Sequence, residues 1–85
     1  MKGELDLRLD KYLKVSRLIK RRSVASEACA AGRVEVNDKV AKASADVKVG
    51  DVIVISFGDK KTRVRVTIVK EASRKEEAVN MYEII

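Results

Sequence analysis

Ser23-Val24-Ala25-Ser26-Glu27-Ala28-Cys29-Ala30-Ala31-Gly32-Arg33-Val34-Glu35-Val36-Asn37-Asp38 changes its period halfway along, and that change decides the fold class. The first half is rich in alanine and opens on Ser23, a residue able to accept the first free amides of a helix. It stops at Gly32, which enters the left-handed region without steric cost. The spacing therefore predicts a helix over residues 24–31, capped by Ser23. After Gly32 the period falls to two: Val34 and Val36 alternate with Arg33 and Glu35, as in a half-buried strand. Asn37-Asp38 then reads as a turn into a second short segment around Val40. A helix feeding directly into short paired strands is the pattern of an α+β domain.

Upstream, Leu9, Tyr12, Leu13 and Ser16 recur at helical spacing with Lys11, Lys14 and Arg17 on other faces, which predicts a short amphipathic helix from Leu9 to about Ser16. Lys20-Arg21-Arg22 interrupts the pattern before the second helix. Downstream, residues 47–51 form a turn around Gly50, and residues 52–57 are the most hydrophobic strand candidate. Gly58-Asp59 turns that strand into residues 62–69, where Val64, Val66 and Ile68 share one face and Arg63, Arg65 and Thr67 the other. This basic strand face is a candidate second contact surface. Ser73 is positioned to cap a last helix through Glu76, Glu77, Ala78 and Met81, grading into Tyr82, Ile84 and Ile85. The expected order is ααββββα, with Tyr12 and Phe57 in the core and Val79, Tyr82 and Ile85 packed back on the sheet.

Composition limits what such a domain does. With 85 residues there is room for one domain, and 46% hydrophobic with 38% charged residues describes a folded core under a densely charged surface. A single cysteine leaves the fold to packing, and the acidic start Met1-Lys2-Gly3-Glu4-Leu5-Asp6 is unlike a signal peptide. The longest aliphatic run, Val52-Ile53-Val54-Ile55, is far short of the ~20 residues of a membrane span, so a soluble cytoplasmic protein is expected. Histidine is absent, the four glycines form no phosphate-cradling loop, and the acidic residues are not clustered as hard metals require. Cys29, flanked by alanines toward a helix end, reads as a packing residue and not as a nucleophile. The expectation is a protein that is not an enzyme and uses no metal or cofactor. Asp10, among Arg8, Lys11 and Lys14, reads as a helix-terminal charge or a local ion pair.

The formal charge of +6 and a pI near 9.7 suggest a polyanionic partner. The excess is concentrated: residues 1–23 carry eight basic and three acidic side chains, whereas the remainder is nearly balanced. Arg8, Lys11, Lys14, Arg17, Lys20, Arg21 and Arg22 recur about every three residues and are the candidate RNA-binding set. With only Tyr12, Phe57 and Tyr82 as aromatics, recognition by shape and phosphate is expected instead of stacking along single strands.

Four ordered blocks carry a family resemblance: Arg8-Leu9-Asp10-Lys11-Tyr12-Leu13, Arg21-Arg22-Ser23, Gly32-Arg33-Val34-Glu35-Val36-Asn37 and Val47-Lys48-Val49-Gly50-Asp51. The chain resembles an S4 domain. The resemblance implies an S4-type fold, two N-terminal helices packed on a small antiparallel sheet with a C-terminal helix, binding structured RNA through the helices and the turn between them. It divides the chain into an N-terminal extension (1–7), the S4 RNA-binding domain (8–69) and a C-terminal helical tail (70–85).

Residues 13–22 and the closing Lys75-Glu76-Glu77-Ala78-Val79-Asn80-Met81-Tyr82 are similar to stand-alone S4 proteins of bacterial ribosome-associated quality control. That similarity implies a monomer docking on obstructed large ribosomal subunits, contacts with large-subunit rRNA and peptidyl-tRNA, and support of an alanine-tailing quality-control factor, with no membrane partner. It also implies RNA contacts for Arg8 and Arg22. Two departures stand out: Asp38 occupies a hairpin position where glycine is usual, and residues 1–7 bring acidic Glu4 and Asp6 near Arg8. The competing readings are a heat-shock S4 protein that binds free large subunits with a nascent chain, whose family has a longer basic C-terminal extension, and a basic protein-interaction module.

Overall fold

The computed structural model describes residues 7–69 and 80–85. Strand β1 (Leu7–Arg8) runs directly into helix α1 (Leu9–Val15), followed by helix α2 (Arg22–Ala30). Strands β2 (Val34–Val36), β3 (Lys39–Val40), β4 (Asp46–Val47), β5 (Val52–Phe57), β6 (Lys60–Val66) and β7 (Tyr82–Ile84) complete the order. A five-stranded antiparallel sheet, β3-β2-β5-β6-β7, carries the helices on one face, and a separate pair β1-β4 closes the start of α1. The α+β architecture expected from the sequence is therefore observed.

Helix α1 ends because Arg17 adopts a left-handed conformation (φ 63°), its amide donating to the Lys14 carbonyl at 3.0 Å. The next helix starts earlier than expected: its N-cap is Arg21, in extended backbone with no side-chain cap, and Ser23 lies within the first turn. Arg22, now the first helical residue, donates through Nε to Asp10 of the neighbouring α1 at 3.3 Å. Gly32 takes the expected left-handed conformation (φ 75°). Asn37 (φ 52°) and Asp38 (φ 69°) form a two-residue turn of the type whose twist suits a hairpin, so Asp38 accepts the geometry that glycine adopts more cheaply. The Asn37 side chain steadies the turn, accepting from the Val52 amide at 3.0 Å and donating to Asp51 at 3.1 Å.

The core lies between the helices and the inner sheet face. Leu9, Tyr12 and Leu13 of α1 and Ala25, Ala28 and Cys29 of α2 meet Val34, Ile53, Ile55, Val64 and Val66. Each fully buried Leu or Ile contributes about 1.5–3 kcal/mol relative to exposure. Leu7, assigned by sequence to the extension, is buried and pairs with Val47.

Residues 73–79 of the expected helix lie outside the described residues, but Tyr82–Ile84 form strand β7 on the outer edge of β6, pairing Val66 with Tyr82 and Val64 with Ile84. Edge pairing explains the outcome: β6 would otherwise leave a row of peptide groups unpaired, and Tyr and Ile fit a pleated surface well. The amides of Thr67 and Ile68 both donate to the Met81 carbonyl, at 2.9 and 3.2 Å, and Met81 is fully buried. Tyr82 packs on the core as expected, whereas Ile85 is 48% exposed. Phe57 is a second correction. It is 43% exposed, the last residue of β5 before the Gly58-Asp59 turn, where it lines an open cavity with Val24, Glu27 and Ala28 of α2.

Candidate nucleic-acid interface

Arg8 sits at the N-cap of α1 and Arg22 is the first residue of α2. Packing of the two helices brings both starts to one carboxylate. Asp10 receives Arg8 Nε at 3.2 Å and Nη2 at 3.3 Å, and Arg22 Nε at 3.3 Å. Its own oxygen also accepts the Lys11 amide at 2.8 Å. The Asp10 side chain is 5% exposed, while those of Arg8 and Arg22 are 52% and 48% exposed. One edge of each guanidinium is therefore tied inward and the rest of its donor fork faces solvent. The triad is net positive, and the buried carboxylate acts as an orienting anchor for two outward cations.

The sequence anticipated an ion pair at Asp10 but not its sharing. Arg8-x-Asp10 is local and visible in the chain, whereas the reach of Arg22 depends on helix packing that no spacing encodes.

The other candidates surround this centre without joining it. Lys11 and Lys14 stand one turn apart on α1, and Arg17, Lys20 and Arg21 lie in the connection from α1 to α2. All but the half-buried Lys11 are exposed, and none of the five forms an ion pair among the described residues. Arg17 is notable for holding a left-handed position, where a non-glycine residue costs about 1–2 kcal/mol. On the basic strand face Arg63 is exposed, while Arg65 is engaged with Glu83 at 2.7 Å.

Cys29 is buried, and burial, with the Asp10 charge as a second cause, pushes its thiol up from the ordinary range. A protonated, enclosed thiol is a packing group, as expected. Among the described residues no cluster of three or more His, Cys, Asp or Glu could hold a metal ion, and no helix is long and apolar enough to cross a membrane.

The S4 domain family model matches residues 7–53. A Halalkalibacterium halodurans protein named RQC P-site tRNA stabilizing factor is 59% identical over 78 residues, covering 92% of this chain and 89% of that protein. The Bacillus subtilis protein of the same name is 53% identical over 79 residues, covering 93% and 92%. Among solved structures, a trimeric structure of Vibrio cholerae heat shock protein 15 superposes with a TM-score of 0.88 at 29% identity, covering 95% of this chain and 83% of that one.

Proposed function

The chain belongs to the S4 domain family, in the branch of the RQC P-site tRNA stabilizing factors, and from that premise we propose that it is a non-catalytic RNA-binding protein of ribosome-associated quality control. In this reading it works in the cytoplasm on obstructed large ribosomal subunits. It touches large-subunit rRNA and the P-site tRNA, and it supports the factor that adds alanine tails to stalled nascent chains.

The observation that carries the reading is the shared anchor. Two arginines held by one buried carboxylate present oriented forks from adjacent helix starts, and a planar fork grips a phosphate with two charge-assisted hydrogen bonds. Lys11, Lys14, Arg17, Lys20 and Arg21 extend the positive field around them, which suits RNA recognized through its backbone and shape. The names of relatives that align over nine-tenths of the chain supply the ribosomal context.

The test is co-sedimentation with purified large subunits, with and without peptidyl-tRNA, at physiological salt. The reading expects stronger binding to the loaded subunits and its loss when Arg8 and Arg22 are both replaced by alanine. Equal retention of the wild type and the folded double variant would refute it. The likeness to heat shock protein 15 supports a second reading, binding to free subunits that carry a nascent chain, and preference for those over obstructed subunits would favour it.

A further inference from the structure

Beside the anchor, Arg8 forms one wall of a groove of ≈ 580 Å³ between α2 and the segment 40–44. Its floor is apolar, with Ala30, Gly32 and Val40 in the part open to solvent. Its polar lining is Arg8, Lys42 and the hydroxyls of Ser26 and Ser44, with no carboxylate among them. Val40 is 65% exposed although it is aliphatic, so its methyl groups face the groove mouth without a cover.

The wall that carries Lys42 is firmly set. The amides of Leu9 and Asp10 donate to the carbonyls of Ala45 (2.7 Å) and Ala43 (3.1 Å), the Ala41 amide donates to Val34 (3.1 Å), and the Ala45 amide closes a turn onto Lys42 (3.0 Å). Segment 40–44 is thereby stitched to the residues that orient Arg8. Gly32 lies opposite in left-handed backbone, and a Cβ there would stand 3.9 Å from Val40 Cγ1.

We propose that this groove takes one unpaired nucleotide of the bound RNA, its phosphate between Arg8 and Lys42 and the face of its base over Val40 and Gly32. The proposal rests on the reading of the chain as RNA-binding and adds a subsite to it. Lys42 and the edge of Arg8 that Asp10 leaves open, with no carboxylate among the lining residues, suit a phosphate. Flat apolar ground suits a base withdrawn from its stack, and two hydroxyls beside it suit a ribose 2′-OH, which both donates and accepts. The volume falls within the ordinary range of ligand sites, about 300–1,000 Å³. Arg8 has the donors to spare, since Asp10 engages only Nε and one Nη2 hydrogen.

The probe is adenosine 5′-monophosphate, titrated into the full chain and followed by backbone amide chemical shifts, with inorganic phosphate and a polyglutamate peptide in parallel. The groove assignment expects saturable shifts over residues 26–32 and 40–44 with the nucleotide, and shifts confined to Arg8 and Lys42 with phosphate. Lys42→Ala, and Val40→Asp, which puts a carboxylate at an exposed position under the base and beside the phosphate, should each weaken the nucleotide response about tenfold. Nucleotide shifts no wider than those of phosphate, or a peptide response that exceeds the nucleotide's in the groove, would overturn the proposal. Subunit co-sedimentation of the same wild-type sample separates the two readings: binding with an unresponsive groove removes the subsite alone, and absent binding removes the RNA-binding reading itself.

Discussion

Arg8 and Arg22 share a carboxylate: Asp10 accepts from Arg8 Nε at 3.2 Å and from Arg22 Nε at 3.3 Å, although one arginine opens α1 and the other opens α2. A buried carboxylate with two half-exposed partners is compensated from the solvent side. Its effect is to reduce the freedom of two long side chains before RNA arrives, so that less is lost when each hydrogen bond to phosphate forms.

Arg22→Ala is expected to weaken large-subunit binding by about 1–3 kcal/mol, the worth of a charge-assisted contact. The sequence alone expects stability hardly to change. The ion pair to Asp10 adds a loss of about 1 kcal/mol, since the carboxylate keeps Arg8 but gives up one partner. Arg22→Lys retains the charge without the planar fork and should rescue binding only in part. Thermal melts and sedimentation titrations of the three proteins check both statements.

Binding should fall steeply with salt. Seven basic side chains surround the anchor, and each phosphate neutralised releases counterions, giving a log–log slope of roughly one unit per contact. A titration from low to physiological salt measures the slope. A value near zero would eliminate phosphate docking.

Arg17 holds a left-handed position that glycine occupies at little cost. Arg17→Gly should therefore raise stability by about 0.5–1 kcal/mol and, if the side chain meets phosphate, lower the salt slope by about one unit. A destabilised Gly variant in a denaturant melt would show that the Arg17 side chain has a structural role not visible in its geometry.

Burial in the first place, and the neighbouring Tyr82 in the second, push the Tyr12 phenol well above its ordinary range, and its hydroxyl donates to the Met81 carbonyl at 2.8 Å. The folded state thus favours the protonated phenol. Its stabilising effect is fully present below the unfolded value of about 10 and is lost as pH rises past it. Cys29, also raised by burial, adds to the loss over the same alkaline side. The melting temperature should be insensitive to these two groups at neutral pH, begin to fall near pH ~9 through Cys29 and fall further above pH ~10 through Tyr12. Tyr12→Phe should cost about 1 kcal/mol at neutral pH and make the alkaline fall shallower.

Local signals carried most of the fold. The change of period at Gly32, the alternation through Val64 and Val66 and the helical spacing of Leu9, Tyr12 and Leu13 all depend on near neighbours, and each element formed close to its expected place. What the sequence concealed depends on distant partners. Tyr82, Glu83 and Ile84 follow a helix-like charged stretch, and only the open edge of β6 makes them a strand. Ser23 has the chemistry of a cap, but the helix begins one residue before it, at Arg22, whose side chain pairs with Asp10 of the other helix. Phe57 continues the inward phase of Ile53 and Ile55, yet it borders an open cavity beside α2 and stays 43% exposed. The candidate site follows the same rule: the basic cluster is legible as composition, the family resemblance places Arg8 and Arg22 on one surface, and their sharing of Asp10 is legible in neither.

The central claim is that Asp10 serves binding by orienting cations, and Asp10→Asn tests it most directly. The substitution keeps the side-chain shape and makes the protein more positive, so simple attraction to RNA would make binding tighter. Orientation requires the opposite, because a neutral amide holds both guanidiniums less firmly. The measurement is the dissociation constant of the folded variant and of the wild type for large subunits carrying peptidyl-tRNA, at the same salt and below both melting temperatures. The account expects the Asn variant to bind about three- to tenfold more weakly; equal or tighter binding would contradict it.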